Sequence, residues 1–367
     1  MSNLLGDNYR LLIFGQSHSP MLGGVIEGLP AGIAPDMAFI RAFMARRAPG
    51  GGGDAVNALS TARREADEPE IVSGLNEWGR TCGAPLTFLI RNGDSRSRDY
   101  ARLRDVPRPG HADYTAAVKF GGENDIRGGG QFSGRLTAPL CFAGALALTQ
   151  LMQRGVRIRA RIHSIAGIGD APMDLAAPDL DAIAEGGLPC VDPEAARRMA
   201  EAVARAKAEG DSVGGVVECF ATGVPAGLGD PMFDGVENRL ARALFGIPAV
   251  RGVEFGLGFE AARLRGSAHN DAFHMDANRV VTETNRHGGA LGGITSGMPI
   301  VARVAFKPTP SIARAQRSVS LSRQSEVPLT VEGRHDPCVV PRAVPVVEAA
   351  VACVVYDMML GMRADGE

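Results

Sequence analysis

Short aliphatic runs along this chain alternate with longer stretches in which apolar residues recur at helical spacing. Runs at 9–14, 23–28, 86–91, 156–162, 214–221, 250–255 and 299–306 are rich in branched and aliphatic side chains and predict strands. Between them the period changes. Asp36 can cap a helix in which Met37, Ile40, Phe43 and Met44 form one apolar stripe. Asp192 followed by Pro193 predicts a second helix start, and Gly210 its end. A third helix is expected at about 236–246. A last long one is expected from near Pro341 to about 362, with Pro345 in its first turn, where a missing N–H costs little. Residues 136–153 carry no charge, a length at the lower edge for a membrane span. Ala143, Gly144, Ala145 and Ala147 suit close helix packing instead, so this stretch reads as a buried helix.

The pattern echoes itself. Residues 23–32 read "GGVIEGLPAG" and 214–227 read "GGVVECFATGVPAG", each followed by an amphipathic helix carrying Arg. A weaker pair is "GGGQFSG" at 128–134 and "ALGGITSG" at 290–297. Two related strand–turn–helix halves, packed about a pseudo-twofold axis, would produce this. No polar linker separates them. The expectation is one intertwined domain over 1–367, with halves at roughly 1–165 and 210–367.

Composition narrows the partners. A net charge of -2 provides no field for nucleic acid or an anionic membrane, so neither is expected. Any bound anion must be held by local arginines and backbone. Only 5% of residues are aromatic, which leaves little for stacking on bases. Six cysteines, at 82, 141, 190, 219, 338 and 353, lack metal-ligand spacing and suit reduced thiols of a cytoplasmic protein. The 47 glycines cluster at 50–53, 121–130, 252–258 and 288–297, which implies tight turns and close backbone approach to a ligand.

Four segments carry chemistry. "RRAPGGGGD" at 46–54 ends a helix on two arginines; these suit the helix dipole or, alternatively, an anion clamp. "RPGHADY" leads to Arg127, three glycines, Ser133 and Arg135 before the buried helix. A Gly-rich loop entering a helix N-terminus presents free N–H groups to anions. Lys307-Pro308-Thr309-Pro310-Ser311 is a stiff row of donors after a strand. "GRHDPC" at 333–338 precedes the last helix. HExxH, CxxC, GxSxG and Walker A patterns are absent, and no metal is expected. Two histidines in small-residue turns, His18 in "GQSHSP" and His111 in "RPGHADY", suit proton transfer near neutral pH. The residues together describe a site for a multiply anionic small molecule.

These segments resemble the chorismate synthase family. Its "GESHG", "RRxPG", "RPGHAD", "RGGGRxSxRxT" and "GRHDPC…RAVPVVEA" motifs appear in order as "GQSHSP", "RRAPG", "RPGHADY", "RGGGQFSGRLT" and "GRHDPCVVPRAVPVVEAA", across nearly the whole chain. The resemblance implies an α+β fold, a β-α-β sandwich with central helices between antiparallel sheets and an internal pseudo-twofold duplication. It implies a cytoplasmic homotetramer. It also implies a carbon–oxygen lyase that removes phosphate from 5-enolpyruvylshikimate 3-phosphate in a 1,4-anti elimination, giving chorismate. Reduced FMN would take part without net redox change, and NADPH is a possible reductant.

By the same resemblance His18 would protonate the flavin, His111 would assist the leaving phosphate, and Asp336 would take a proton at the flavin N5 edge. Ser17, Gln131, Phe132, Ser133, Ala249, Gly292, Lys307, Pro308, Thr309, Pro310, Ser311 and Arg334 match flavin-contact positions. Arg47, Arg127 and Arg135 match positions for substrate or NADPH. The chain departs from the family at Gln16, Ser19, Pro20, Gln131, Phe132 and the glycines of 50–54. Two alternatives therefore stand beside the lyase: a flavin-binding paralogue with lost or altered activity, and a metal hydrolase using the histidines.

Overall fold

A computed structural model describes residues 3–50, 56–57, 59, 67–93, 102–331 and 336–364. Its first sheet contains β1 (Leu4–Leu5), β2 (Arg10–Phe14), β3 (Met21–Glu27), β4 (Pro69–Ser73) and β5 (Leu86–Arg91), in the order β1-β2-β3-β5-β4. The second contains β6 (Arg157–Ile165), β7 (Ile168–Gly169), β8 (Gly215–Thr222), β9 (Val250–Phe255) and the later strand Ile300–Phe306. Three hairpins come from β10 (Phe273–Asp276) with β11 (Arg279–Thr282), β12 (Ala290–Leu291) with β13 (Ile294–Thr295), and β15 (Gln316–Ser320) with β16 (Ser325–Leu329). Ile300–Phe306 is thus β14, and the second sheet runs β7-β6-β8-β14-β9. Every pairing in both sheets is antiparallel.

The α-helices with both ends among the described residues are α1 (Met37–Arg47), α2 (Asp113–Lys119), α3 (Thr137–Met152), α4 (Pro193–Ala208), α5 (Val236–Phe245), the single turn α6 (Gly266–His269) and α7 (Val340–Ala364). Asp36 caps α1 by accepting from the Phe39 N–H, and Asp192 caps α4 through the Glu194 N–H. α7 begins at Val340, which carries Pro345 just past the first turn and into the helix. Its absent N–H therefore removes one bond of the i to i−4 ladder, a cost the expected placement avoided.

All seven expected strands form. β4, α2 and the three hairpins carry too little apolar pattern to be read from sequence. All four residues of β10, for example, are exposed.

The duplication is visible in the topology. β2, β3, α1, β4, β5 and α3 follow one another as β6, β8, α5, β9, β14 and α7 do. The sheet orders β2-β3-β5-β4 and β6-β8-β14-β9 correspond strand for strand. β6 pairs with β8 and not with the first sheet, so the second repeat begins near 157 rather than 210.

α3 and α7, one from each repeat, pack together between the sheets. A Cβ on Gly144 would lie 2.3 Å from the Ala349 Cα, so this crossing needs glycine. Phe88 of β5 stacks on Phe142 of α3, with ring centroids 3.8 Å apart, and Tyr9 donates to the Ala143 carbonyl at 2.8 Å. Buried Glu348 of α7 accepts from Arg46 Nη1 at 2.6 Å and from the Ala160 N–H at 2.9 Å, joining α1, α7 and β6. Gly134–Met152, which is α3 with the helical turn before it, and Val340–Met362 of α7 are long and apolar enough to cross a membrane, but most of their residues are buried in this core. Five cysteines are buried and Cys82 is exposed; none is in a disulfide.

Candidate active site

The ends of the repeats meet at a cavity of about 820 Å³. The α3 N-terminus (Gly134, Thr137) and the first turns of α7 (Arg342, Ala343, Val346) open onto it. So do the C-terminal end of α5 (Phe245, Gly246), the end of α1 (Arg47) and the segment after β14. Two helix N-termini facing one space favour negative charge there. Side chains reinforce this: Arg47, Arg108, Arg251, Arg342 and Lys307 line the wall, against the single carboxylate Asp336 among the described residues. Lys307 Nζ donates to the Gly110 carbonyl at 2.8 Å. Burial, with the Arg251 charge adding to it, lowers the Lys307 ammonium below its ordinary value.

His111 is the best-defined group in the cavity. It follows Gly110, whose φ of +73° makes the turn, and it precedes α2. Its Nδ1 lies 2.6 Å from Asp113 Oδ1, the first residue of α2. Arg108 Nη2 also lies 3.1 Å from Nδ1, but an ionised carboxylate only accepts, so the shorter contact assigns the hydrogen to Nδ1 and leaves Nε2 facing the Gly-rich loop. Arg108 holds the carboxylate from its other sides, with Nε 2.7 Å from Asp113 Oδ2 and Nη2 2.8 Å from Oδ1. Arg108 Nη1 then donates to Ser311 Oγ at 3.0 Å. Burial pushes the Asp113 carboxyl up, but the hydrogen bonds and charges of Arg108 and His111 outweigh it and hold it far below the carboxylate range.

The Gly-rich loop separates the two histidines. Gly128, Gly129 and Gly130 all have positive φ. A Cβ on Gly128 would lie 2.8 Å from His18 Nε2; one on Gly129 would lie 3.1 Å from His111 Nε2. Both rings therefore abut the same two-residue stretch. His18 is buried in the β2–β3 turn and reaches the cavity wall only across Gly128. The Ser17 N–H donates to the Gly130 carbonyl at 3.1 Å, and Ser133 Oγ to Ser17 Oγ at 3.3 Å. Asn92 at the end of β5 ties the turn down by donating to the Ser19 carbonyl at 2.7 Å.

Asp336 lies in the wall with Arg342 Nη1 2.5 Å from its Oδ2, and Arg342 Nε donates to the Arg47 carbonyl at 2.8 Å. Gln131, Phe132, Ser133, Ala249, Lys307, Thr309, Pro310 and Ser311 also line the cavity, as does Arg47. Pro308 turns away and packs at Gly214. Arg135 is buried beside Asp67 behind the wall. Arg127 points outward, with Nε 2.8 Å from Asp125 Oδ1.

Gly292 is not brought to the cavity of this chain. It sits in the β12–β13 turn, and its neighbour Gly293 packs on Gly235 at the N-terminus of α5. The cavity is at the opposite end of that helix, about 15 Å away at 1.5 Å per residue. Arg334 and the glycines 51–53 lie outside the described residues. Asp113, Arg108, Arg251 and Arg342 were not expected. The His-x-Asp spacing of 111–113 was the one available signal, because it allows a local imidazole–carboxylate pair.

Asp67 and Asp113 also set an acid limit on stability. Burial raises the Asp67 carboxyl, yet Arg47 and Arg135 bring it below its ordinary value, as Arg108 and His111 do for Asp113. A carboxyl with a depressed folded pKa stabilises the fold above its unfolded pKa of about 3.9 and loses that contribution as pH falls further. The urea midpoint should therefore hold between pH 7 and about 5 and drop steeply below about 4. A midpoint unchanged down to pH 3 contradicts these pairings.

A sequence model of the chorismate synthase family matches residues 9–360. A "Chorismate synthase" of Thermococcus gammatolerans is 51% identical over 352 residues, covering 96% of each chain. One of Korarchaeum cryptofilum is 46% identical over 98% of each chain. One of Methanosarcina mazei is 45% identical over 98% of this chain and 96% of its own. A solved structure described as a crystal structure of chorismate synthase superposes with a TM-score of 0.73 at 28% identity, covering 97% of this chain and 93% of that one.

Proposed function

Because this chain belongs to the chorismate synthase family and is thus a phosphate-eliminating lyase, we propose that it converts 5-enolpyruvylshikimate 3-phosphate to chorismate, with reduced FMN and no net redox change. The observation that carries the reading is the basic cavity with His111 fixed through Nδ1 and its Nε2 at the Gly-rich loop. The substrate bears two carboxylates and a phosphate, and FMN adds another phosphate. Four arginines and a lysine match that demand.

The residues also fit a flavin. The cavity falls within the ~300–1,000 Å³ usual for small-molecule sites. Phe132, Phe245, Ile247, Val339 and Val346 supply an apolar wall. Thr309 Oγ1 is buried with no partner among the described residues, as a hydroxyl reserved for a ligand would be. Bound reduced flavin supplies electron density that eases loss of a hydrogen not activated by a carbonyl.

The chain's own residues handle charge and protons. The lining cations bind and orient the anionic groups and neutralise the departing phosphate. His111 donates from Nε2 to the phosphate oxygen as the C–O bond breaks. His18, with its Nε2 edge turned to Gly128, is the second proton carrier of the site. Asp336, oriented by Arg342, is the final acceptor of the ring proton. One C–H and one C–O bond are lost and one C=C bond forms, so electrons balance. The same reading makes the active form a cytoplasmic homotetramer acting on a small molecule, without nucleic-acid or membrane partners.

An anaerobic assay with chemically reduced FMN should release phosphate and chorismate in equal amounts. A parallel arm with NADPH and oxidised FMN reports whether the protein reduces its own flavin. Flavin binding without product in the reduced arm overturns the activity and identifies a paralogue of altered function.

A further inference from the structure

We propose that Asp67 is a positioning residue that aims Arg47 at the anionic substrate and, through the buried Arg135 behind the cavity wall, ties it to the His18 turn. The inference rests on the proposed activity for its kinetic consequence only.

Asp67 lies just before β4 and has a φ of +47°, a left-handed conformation uncommon outside glycine. Its side chain is buried, and it gives one oxygen to each arginine. Oδ2 accepts from Arg47 Nη2 and Oδ1 from Arg135 Nη1. The other contacts of these arginines lead to different parts of the site. Arg47 Nη1 reaches the Gly134 carbonyl and Thr137 Oγ1 at 3.4 Å, at the α3 N-terminus. Arg135 Nε donates to Asn92 Oδ1 at 2.9 Å, and Asn92 holds the Ser19 and Gln16 carbonyls of the His18 turn. One carboxylate thus connects the end of α1, the Gly-rich loop and the turn carrying His18.

Two buried guanidinium groups beside each other repel unless a carboxylate lies between them. An amide at position 67 offers a single acceptor oxygen and no charge. Arg47, which lines the cavity, would then turn from its present direction. The loss should fall on substrate binding, because Asp67 does not itself line the cavity.

The test uses Asp67→Asn and Asp67→Glu in the full-length protein with reduced FMN under anaerobic conditions. The expected result is a rise in KM of about tenfold with kcat within about threefold. In an Arg47→Lys background the Asp67→Asn increment in KM should shrink to under about twofold, because the effect passes through Arg47. An equal increment in both backgrounds, or unchanged KM with only a lower melting temperature, overturns the proposal. If Asp67→Asn does not fold, Asp67→Glu decides, since it keeps the charge and shifts its position by one methylene; an unchanged KM there is fatal to the idea. If the wild-type protein makes no chorismate, the activity fails and Asp67 is judged by the crystal structure of Asp67→Glu. An Arg47 guanidinium displaced from the cavity wall supports its positioning role, and an unmoved one refutes it.

Discussion

Replacing His111 with alanine is expected to cut kcat by about 10²-fold or more while leaving KM within a few-fold. The asymmetry follows from the geometry. Charge on the substrate is met by Arg47, Arg108, Arg251, Arg342 and Lys307, all of which remain. What disappears is a proton at Nε2, needed when the phosphate leaves. His111 is anchored by a 2.6 Å bond to Asp113, and Asp113 is anchored by Arg108. Truncation at 111 leaves that pair intact and merely opens space, so the melting temperature should change little. Stopped-flow turnover with reduced FMN reads the result. Turnover within threefold of wild type would remove His111 from the mechanism. Loss of both kcat and folded protein would instead show that the imidazole is structural.

The chain announces some of this site and conceals the rest for physical reasons. His111 was legible because an imidazole in a turn of Pro, Gly and Ala has no packing duty. The seven long strands were legible because branched side chains crowd a helix and suit a pleat. The twofold repeat showed through because β3 and β8 both enter a Gly-(Leu/Val)-Pro-Ala-Gly turn. Asp67 was not legible: its partners are 20 and 68 residues away, and nothing local marks it as a bridge. Arg342 lies in a run of Val, Ala and Pro that reads as core, and only the fold turns it to Asp336. Residues taken from family motifs fared according to their surroundings. Lys307 and Ser311 reach the cavity because the extended segment after β14 runs along it, whereas Gly292 is carried to the other end of α5.

Gly128→Ala should be nearly as damaging as loss of a histidine, although it removes no functional group. Gly128 has a φ of +59°, and its added Cβ would stand 2.4 Å from Ser17 Oγ and 2.8 Å from His18 Nε2. Two costs are mixed in such a change, and Gly121 separates them. Its φ is +60°, almost the same, and a Cβ there meets nothing within 4 Å. Gly121→Ala therefore incurs only the left-handed strain of an L-residue, about 1–2 kcal/mol. It should lower stability slightly and leave turnover within about twofold. Gly128→Ala carries the same strain and also forces the His18 ring or the Gly-rich loop to move. Since Gly129 next to it abuts His111 Nε2, a shift of the loop disturbs both proton carriers. A loss in kcat of about 10²-fold is expected, on the scale of misplacing a proton carrier by an ångström. Equal kcat in the two alanine variants would mean that the loop yields without disturbing either ring, and that the close approach of His18 to Gly128 has no part in turnover.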